Sequence, residues 1–436
     1  MAESTPVTPL EKDFPFEIIS HLIPITPFRE YPHAIIDEQK GIRLSVKQYI
    51  PLKAETPSSN TQDPITIIVS GGVGFIKEIY EPFFAELLSR TNKSNVTIRS
   101  IWIADMFNMG ESAIANLENL GCDPTWIDHS RDLWSMINHF HTQMPKPIIG
   151  LGHSVGCNQL LCLSSWHPTL FHSFAFVEPG IDPNYGREMG IQWVYQMLQR
   201  KESWPTREEA EIRGVKAQGA GAWGEKVRSR LKVYGVVQTG TNSEAGSWAL
   251  TTPKNQIASL VFRHNPGNVG LEPGGLDEVT LAQREIVPDS NPADRYEGPF
   301  YRPEMRLGWD LLPGMRPWVL YVNGGKSPLF GNPVVREQRA RITGTGVGGN
   351  GGMRLGAVRQ VVIEDGEHTM PFDRNLNNLA DHVGNWLVTE SQRWTDGPKR
   401  RRVEWQAKSL KEKQSVSKEF VDAVSSIMGQ KRAEKL

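Results

Sequence analysis

The residues most able to do chemistry in this 436-residue chain form a pentapeptide around a serine, Gly152-His153-Ser154-Val155-Gly156. The apolar run PIIGLG leads into it and a helix-forming segment follows, so a strand should end and a helix begin there. In that context the G-x-S-x-G pattern predicts a sharp strand-to-helix turn, because its small flanking residues let the strand and the helix approach closely. Such a turn exposes the serine hydroxyl, and Ser154 is therefore the candidate nucleophile.

A serine hydroxyl needs a neighbouring base, since it is a poor nucleophile at neutral pH. His368, in the segment IEDGEHTMPF, directly follows the last predicted strand, which is where the histidine partner of such a turn is expected. His264 falls in a helix-rich segment and His382 on the closing helix, where a packed or solvated histidine is expected. His368 is therefore the candidate base.

The third member of a catalytic triad is a carboxylate that orients the histidine. Its usual place follows the next-to-last strand, but YVNGGKSPLF (321–330) contains no acid. The strand after the serine turn ends instead in Phe-Val-Glu-Pro, which puts Glu178 at the carboxyl edge of the sheet beside Ser154. Glu178 is the preferred acid; Asp182 is the alternative, and Asp365 and Glu367 adjoin the histidine.

An acyl intermediate also needs backbone N–H groups that stabilise its oxyanion. One donor is expected from Val155, the residue after the nucleophile. The second is expected from the glycine-rich loop Gly71-Gly72-Val73-Gly74-Phe75, where Val73 is the predicted donor.

The elements that must position these residues alternate between apolar strands and amphipathic helices, which predicts an α/β fold with a mainly parallel sheet. Eight strands are expected: an antiparallel hairpin within 33–50, then 64–72, 96–105, 147–154, 171–180, 317–325 and 357–365. Helical stretches without a convincing strand fill the interval after the sixth strand. The predicted parts are a core in two pieces, 1–180 and 306–390, a helical, aromatic-rich lid at 181–305 and a charged extension at 391–436.

Composition and charge exclude several classes of protein. Lys and Arg total 48 against 49 Asp and Glu, a net charge of −1, so no global field attracts nucleic acid. No apolar run is long enough to span a membrane. The cysteines (Cys122, Cys157 and Cys162) form no CxxC pair, which argues against a disulfide framework and fits a reducing compartment.

Metal and cofactor sites are not predicted either. The histidines His139 and His141 would point to opposite sides of a helix, and no other cluster has metal-ligand spacing. The glycine-rich stretch TGTGVGGNGG (343–352) precedes a strand instead of joining a strand to a helix, so it does not predict dinucleotide binding.

The C-terminal extension carries a net positive charge, unlike the rest of the chain. Residues 391–436 contain 12 Lys and Arg but 6 Asp and Glu, a balance of +6. The run Lys399-Arg400-Arg401-Arg402 raises the alternative of nucleic-acid binding or nuclear import, but a solvated charged helix is the preferred interpretation.

Beyond the serine turn, the chain resembles a family of fungal α/β-hydrolases of secondary-metabolite biosynthesis. That family includes the acyl-CoA hydrolase of mycophenolic acid biosynthesis and the AK-toxin hydrolases. The resemblance covers roughly residues 17–395 and is carried by FREYP (28–32), KQYIP (47–51), KEIYEP (77–82), WIDHSRDL (126–133), GHSVG (152–156), FVEP (176–179), LTTPK (250–254), YRPEMR (301–306), GVGGNGG (346–352) and GEHTMPF (366–372).

The resemblance implies an α/β-hydrolase fold with Ser154, Glu178 and His368 as its catalytic triad. It also implies hydrolysis of a hydrophobic polyketide- or terpenoid-derived acyl group, held as a CoA thioester or a simple ester. Transfer of the acyl group to another acceptor, and a non-catalytic binding role, are the alternatives. Whether the chain forms a homodimer is left open.

Members of this family are often peroxisomal, and the chain ends in Glu434-Lys435-Leu436. The last two residues fit an S-K-L-type address that a peroxisomal import receptor reads, although Glu434 replaces the small residue. A weak C-terminal signal therefore predicts a peroxisomal location, with the cytoplasm as the alternative.

Overall fold

A computed structural model of the chain describes residues 3–52, 62–94, 96–183, 187–217, 219–239, 246–264 and 300–433. The C-terminal tripeptide at 434–436 lies outside the described residues, and so does most of the second half of the predicted lid. In the described part no helix is long and apolar enough to cross a membrane.

The described residues form fourteen strands. In chain order they are β1 (Glu3–Val7), β2 (Phe16–Ile25), β3 (Ile42–Pro51), β4 (Ile65–Ser70), β5 (Ile98–Ala104), β6 (Ile148–His153), β7 (Ser173–Val177), β8 (Ser203–Trp204), β9 (Val236–Gln238), β10 (Trp248–Leu250), β11 (Arg263–His264), β12 (Phe300–Tyr301), β13 (Trp318–Gly324) and β14 (Val358–Ile363). Nine of them form the main sheet, in the order β1-β2-β3-β5-β4-β6-β7-β13-β14. The strands from β5 to β14 in this order run parallel, and β1, β2 and β3 are antiparallel.

This sheet confirms the predicted α/β class and corrects three details. It has nine strands where eight were predicted, because β1 pairs with the outer edge of β2. The hairpin partner of β3 is Phe16–Ile25, whereas the predicted first arm forms no strand and the 3₁₀ helix Glu38–Lys40 lies at the predicted turn. The interval 181–305 was expected to lack strands, but β8, β9 and β10 form a small sheet there, and β11 pairs with β12.

Helices cover both faces of the main sheet. Their bounds are Glu81–Lys93, Gly110–Asn116, Trp126–His139, Val155–Trp166, Arg187–Leu198, Arg207–Ala217, Glu225–Tyr234, Lys254–Val261, Pro303–Leu311, Pro333–Ile342, Leu376–Trp394, Arg400–Ala407, Leu410–Gln414 and Lys418–Ala433. All six residues of β4 and of β6 are buried, as expected for parallel strands packed on both faces. The helix Pro303–Leu311 spans the predicted boundary at 305.

The insertion is fastened to the core by polar and apolar contacts. Arg230 Nε donates to Glu81 Oε2 at 2.7 Å, and both side chains are almost fully buried. Trp223 packs on Phe372 with ring centroids 5.0 Å apart. Trp126 Nε1 donates to the carbonyl oxygen of Leu260 at 2.7 Å. These contacts hold the insertion against the carboxyl edge of the parallel strands.

Candidate active site

The serine turn joins β6 to the helix that starts at Val155. Ser154 has φ 56° and ψ −122°, a strained conformation for a residue with a side chain. A Cβ on Gly156 would lie 2.0 Å from the carbonyl oxygen of Ser70, and one on Gly152 would lie 2.7 Å from Cys157 Cα. Both glycines are therefore required sterically, and the turn has the predicted shape.

The predicted base lies within hydrogen-bond distance of the predicted nucleophile. His368, which follows β14, has Nε2 3.1 Å from Ser154 Oγ. Ser154 is 6% exposed and His368 is 8% exposed, so both side chains are largely shielded from solvent. A hydrogen on Nδ1 leaves Nε2 free to accept the serine proton.

Glu178 directly follows β7, and its carboxylate lies on the opposite side of the imidazole. Its Oε2 is 3.3 Å from His368 Nδ1, and its Oε1 accepts the Gly324 N–H at 2.6 Å. Glu178 also has a positive φ of 49°; with Ser154, it accounts for all non-glycine residues with positive φ in the described part of the chain. The strained backbone turns the carboxylate toward the histidine.

The environment of Glu178 keeps its carboxylate ionised. Complete burial by itself would raise the pKa of Glu178, but the hydrogen bond and charge interaction with His368 outweigh it, aided by the Gly324 N–H and the Ser327 hydroxyl. The pKa therefore lies below its usual value. An ionised acceptor at this position holds the histidine tautomer that nucleophilic attack requires.

The alternative acids make different contacts. Asp365 is exposed and forms an ion pair with Arg374 at 3.5 Å, and Glu367 is exposed beside the histidine. Asp182 is half-buried and lies in the field of Arg339. The carboxylate contact of the His368 ring is with Glu178.

The glycine-rich loop lies against the nucleophile. A Cβ on Gly72 would be 3.1 Å from Ser154 Cβ, so the loop and the serine are in direct contact. The Gly72 N–H donates to Tyr80 Oη at 3.0 Å and is therefore occupied. The N–H groups of Val73 and Val155 have no acceptor among the residues that the structure describes. Both predicted oxyanion donors are thus available for a ligand.

A hydrogen-bonded chain that the sequence did not predict connects this loop to the histidine. The Tyr80 hydroxyl, which accepts from Gly72, is 2.8 Å from His153 Nδ1. His153 Nε2 lies 2.9 Å from the carbonyl oxygen of His368, which can only accept. The Nε2 of His153 therefore carries a hydrogen, and in the neutral ring Nδ1 accepts from the Tyr80 hydroxyl. Burial lowers the pKa of His153 to about 3, which agrees with that assignment.

Only one feature of the sequence indicated this series of hydrogen bonds. His153 occupies the variable position of the serine pentapeptide, next to the nucleophile. Its partner Tyr80 lies 73 positions earlier in the sequence. Such a distant pairing has no periodic signature.

Apolar side chains surround the space next to the nucleophile. The cluster combines core residues with residues of the insertion: Met106, Met109, Trp126, Val155, Leu260 and Met305, with Val73 and Phe330 packed against it. Two of its members, Val73 and Val155, are the predicted oxyanion donors. The site therefore places a polar catalytic group at the edge of an apolar wall. Within the described residues no group of His, Cys, Asp or Glu has the arrangement of a metal site.

The order of the parallel strands, the strained serine turn after β6 and the histidine after β14 together define the α/β-hydrolase class. Comparison with solved structures supports this fold class. The crystal structure of the peroxisomal α/β-hydrolase Lpx1 from Saccharomyces cerevisiae superposes with a TM-score of 0.62 at 14% identity, covering 97% of this chain and 99% of that one. At this identity the likeness concerns the fold alone. No protein-family model matches the chain.

Sequence relatives narrow the class. The chain is 35% identical to the type I acyl-CoA thioesterase mpaH of Penicillium brevicompactum over 399 residues, which is 87% of this chain and 89% of the relative. The abhydrolase domain-containing protein AKT2 of Alternaria alternata is 23% identical over 254 residues, 56% of this chain and 84% of its own length. The chain belongs to the family of fungal α/β-hydrolases that contains these proteins, and it is a hydrolase.

Proposed function

We propose that this protein hydrolyses the CoA thioester of a hydrophobic acid, with Ser154 as nucleophile, His368 as general base and Glu178 as the orienting acid. The observation that carries the proposal is the hydrogen-bonded series Ser154 Oγ, His368 Nε2, His368 Nδ1 and Glu178 Oε2, with separations of 3.1 and 3.3 Å. Membership in a family with acyl-CoA thioesterases supports the thioester as the bond that is cleaved.

In the first half of the reaction, Ser154 Oγ attacks the thioester carbonyl carbon while His368 Nε2 takes the hydroxyl proton. Glu178 stabilises the imidazolium that forms and keeps the ring in place. The N–H groups of Val73 and Val155 stabilise the negative charge on the carbonyl oxygen. The tetrahedral intermediate then expels the thiolate of coenzyme A, which takes up the proton from His368, and the acyl group stays on the serine.

In the second half, water attacks the acyl-enzyme with His368 again as base. The new oxyanion is stabilised by the same N–H groups, the bond to Ser154 Oγ breaks, and His368 returns the proton to the serine. The free acid leaves and the enzyme is restored. The mechanism uses no cofactor.

The apolar wall supports a hydrophobic acyl group as substrate. Met109, Leu260 and Met305 belong to one buried cluster that reaches the residue next to the nucleophile. Burying an apolar acyl chain there contributes about 25 cal/mol for each Å² removed from water. We propose that the acid is of polyketide or terpenoid origin and that the segment 181–305 covers it as a lid.

The decisive experiment compares acyl-CoA thioesters of increasing hydrophobicity with simple esters of the same acids. We expect kcat/KM to rise with acyl hydrophobicity and to be higher for the thioesters, and Ser154→Ala is the control for background hydrolysis. Equal rates on simple esters would make the protein a general esterase. Formation of a new ester or amide when an alcohol or amine is added would show acyl transfer.

We also propose a peroxisomal location. The supporting observation is a relative named peroxisomal membrane protein LPX1 from Saccharomyces cerevisiae, 30% identical over 129 residues, 28% of this chain and 32% of its own. A fluorescent protein fused to the N-terminus should co-localise with a peroxisomal marker, and removal of Glu434-Lys435-Leu436 tests whether the address lies there. Diffuse fluorescence of the full-length fusion would refute the peroxisomal location and leave the hydrolase assignment unaffected.

A further inference from the structure

A cavity of about 530 Å³ lies at the edge of the sheet opposite to the catalytic residues. Its walls include Ile148, the first residue of β6, and Trp318, the first residue of β13. Ser154 follows the other end of β6, so the cavity and the nucleophile are separated by one strand length, roughly 20 Å. The helix Arg400–Ala407 of the C-terminal extension forms its outer wall. This cavity is therefore separate from the catalytic site.

Five cationic side chains and no carboxylate line the cavity: Lys146, Arg316, Arg393, Arg401 and Arg402. Arg393 forms an ion pair with Glu390. The other four have no carboxylate partner among the described residues, although the neighbouring Lys399 pairs with Asp63 at 2.8 Å and Arg400 with Glu404 at 3.7 Å. The cavity therefore brings together four cations that have no carboxylate partner among the described residues.

These charges act together. Two of them, Lys146 and Arg316, come from loops of the core, and Arg401 and Arg402 come from the extension. Burial lowers the pKa of Lys146, and the nearby charge of Arg402 lowers it further, which shows that the two walls share one positive field. A concave site lined by charges of one sign concentrates ions of the opposite sign.

Three tryptophan rings complete the walls. Arg393 lies over the Trp318 ring at 4.2 Å, and Arg402 lies over the Trp394 ring at 5.9 Å. The third ring, Trp405, is 52% exposed at the rim. Exposed tryptophan beside arginine is the combination on which nucleobases stack.

We propose that this cavity binds a nucleotide, a flat heteroaromatic base with at least two phosphate groups. The phosphates would lie between the core cations and Arg401 and Arg402, and the base would stack on Trp405. The volume falls within the range of small-molecule sites, about 300–1,000 Å³, which suits one nucleotide better than a continuous nucleic-acid strand. The ligand would also bridge the extension to the core and thereby stabilise it. The proposal does not rest on the catalytic assignment.

ADP is the probe, titrated by calorimetry into the full-length protein. We expect saturable binding that weakens at least tenfold in the variant Arg401→Ala/Arg402→Ala, because two charged hydrogen-bond donors to phosphate are lost. Arg400→Ala is the matched control, because it removes a cation from the same helix outside the cavity and should bind normally. Trp405→Ala should weaken the binding of ADP and leave the binding of pyrophosphate unchanged.

Four outcomes would overturn the proposal. The first is that ADP does not bind at millimolar concentration, and the second is that Arg400→Ala weakens ADP binding as much as the double variant does. The third is that pyrophosphate binds as tightly as ADP and Trp405→Ala has no effect on ADP binding. The fourth is that an oligonucleotide binds more tightly than ADP. Each is independent of hydrolysis, because the assay measures heat of binding and the variants leave the catalytic residues intact.

Discussion

Two buried polar clusters lie near the carboxyl edge of the sheet, and they use charge in opposite ways. The ion network consists of Lys47, Lys77, Glu78, Glu81, Asp105 and Arg230. In it Lys77 Nζ lies 2.6 Å from Asp105 and 3.0 Å from Glu78. In the candidate catalytic cluster of Ser154, Glu178 and His368, the contact of Glu178 with a permanent cation, Arg336, is long at 4.0 Å.

The two clusters also differ in the strain of their backbone. Ser154 and Glu178 have positive φ values of 56° and 49°, whereas the ion network contains no such residue. Each strained residue costs about 1–3 kcal/mol, which the surrounding structure must offset. In the ion network, paired charges on unstrained backbone stabilise the fold. In the candidate catalytic cluster, the Glu178 carboxylate interacts mainly with His368, on strained backbone, and can therefore take part in a reaction. Five predictions test this contrast.

The largest effect is expected for Ser154→Ala, because no other group can take over the attack. Activity should fall by a factor on the order of 10⁶ while the melting temperature stays close to that of the parent protein. Steady-state hydrolysis of an acyl-CoA and thermal unfolding measure the two quantities. Retention of more than a few per cent of activity would show that a different residue is the nucleophile.

Glu178→Gln should lower kcat by about 10⁴, because an amide favours the wrong histidine tautomer. Asp182→Asn is the matched control and should change kcat little. Single-turnover kinetics of both variants give the comparison. The reverse ranking would assign the orienting acid to Asp182.

A substitution in the ion network should change the stability of the protein and not its rate of hydrolysis. Lys77→Met leaves Asp105, Glu78 and Glu111 without their shared cation, which should lower the free energy of unfolding by about 3–5 kcal/mol. The control Arg341→Met breaks an exposed pair with Glu337 and should cost less than about 1 kcal/mol. Urea denaturation measures both. Similar losses in the two variants would contradict the structural role of the network.

Tyr80→Phe tests the chain between the oxyanion loop and the histidine. The change leaves the Gly72 N–H and His153 Nδ1 without partners, which displaces the oxyanion loop and the histidine. We therefore expect kcat to fall by about tenfold, about 1.4 kcal/mol of activation free energy, with KM nearly unchanged. Tyr49→Phe removes a buried hydroxyl that donates to Glu81 in the ion network and is the matched control. If Tyr49→Phe lowers kcat as much, the effect of Tyr80 is general destabilisation.

The last prediction concerns the pH dependence of stability. His153 has a pKa of about 3 in the folded protein, below the value of about 6.5 in unfolded chains. The unfolded state therefore binds the extra proton, and the free energy of unfolding should fall by up to about 1.4 kcal/mol per pH unit as the pH drops from 6.5 toward 3. Denaturation curves of the parent and of His153→Asn should differ in this slope. Identical slopes would mean that His153 is not buried in its neutral form.

Much of the site could be predicted because its signals are local. The apolar run before Gly152 and the glycines around Ser154 define a strand, a tight turn and a helix within a few residues. The position of His368 follows from strand order, since the carboxyl ends of parallel strands meet at one edge. Alternation of strands and helices likewise predicted the α/β class.

Tertiary structure decided what depends on distant pairs. The hairpin partner of β3 is β2, and 16 residues join the two strands. A tight hairpin was predicted instead, because a sequence pattern indicates pairing only between segments that are adjacent in the chain. Tyr80 contacts His153, and Arg402 lines the same cavity as Lys146, through packing that no local sequence period encodes. The sequence by itself determined which residue types could react and which elements carry them. Which carboxylate faces His368, and where the unpaired arginines gather, was decided by the fold, because contacts between distant segments depend on how whole elements pack.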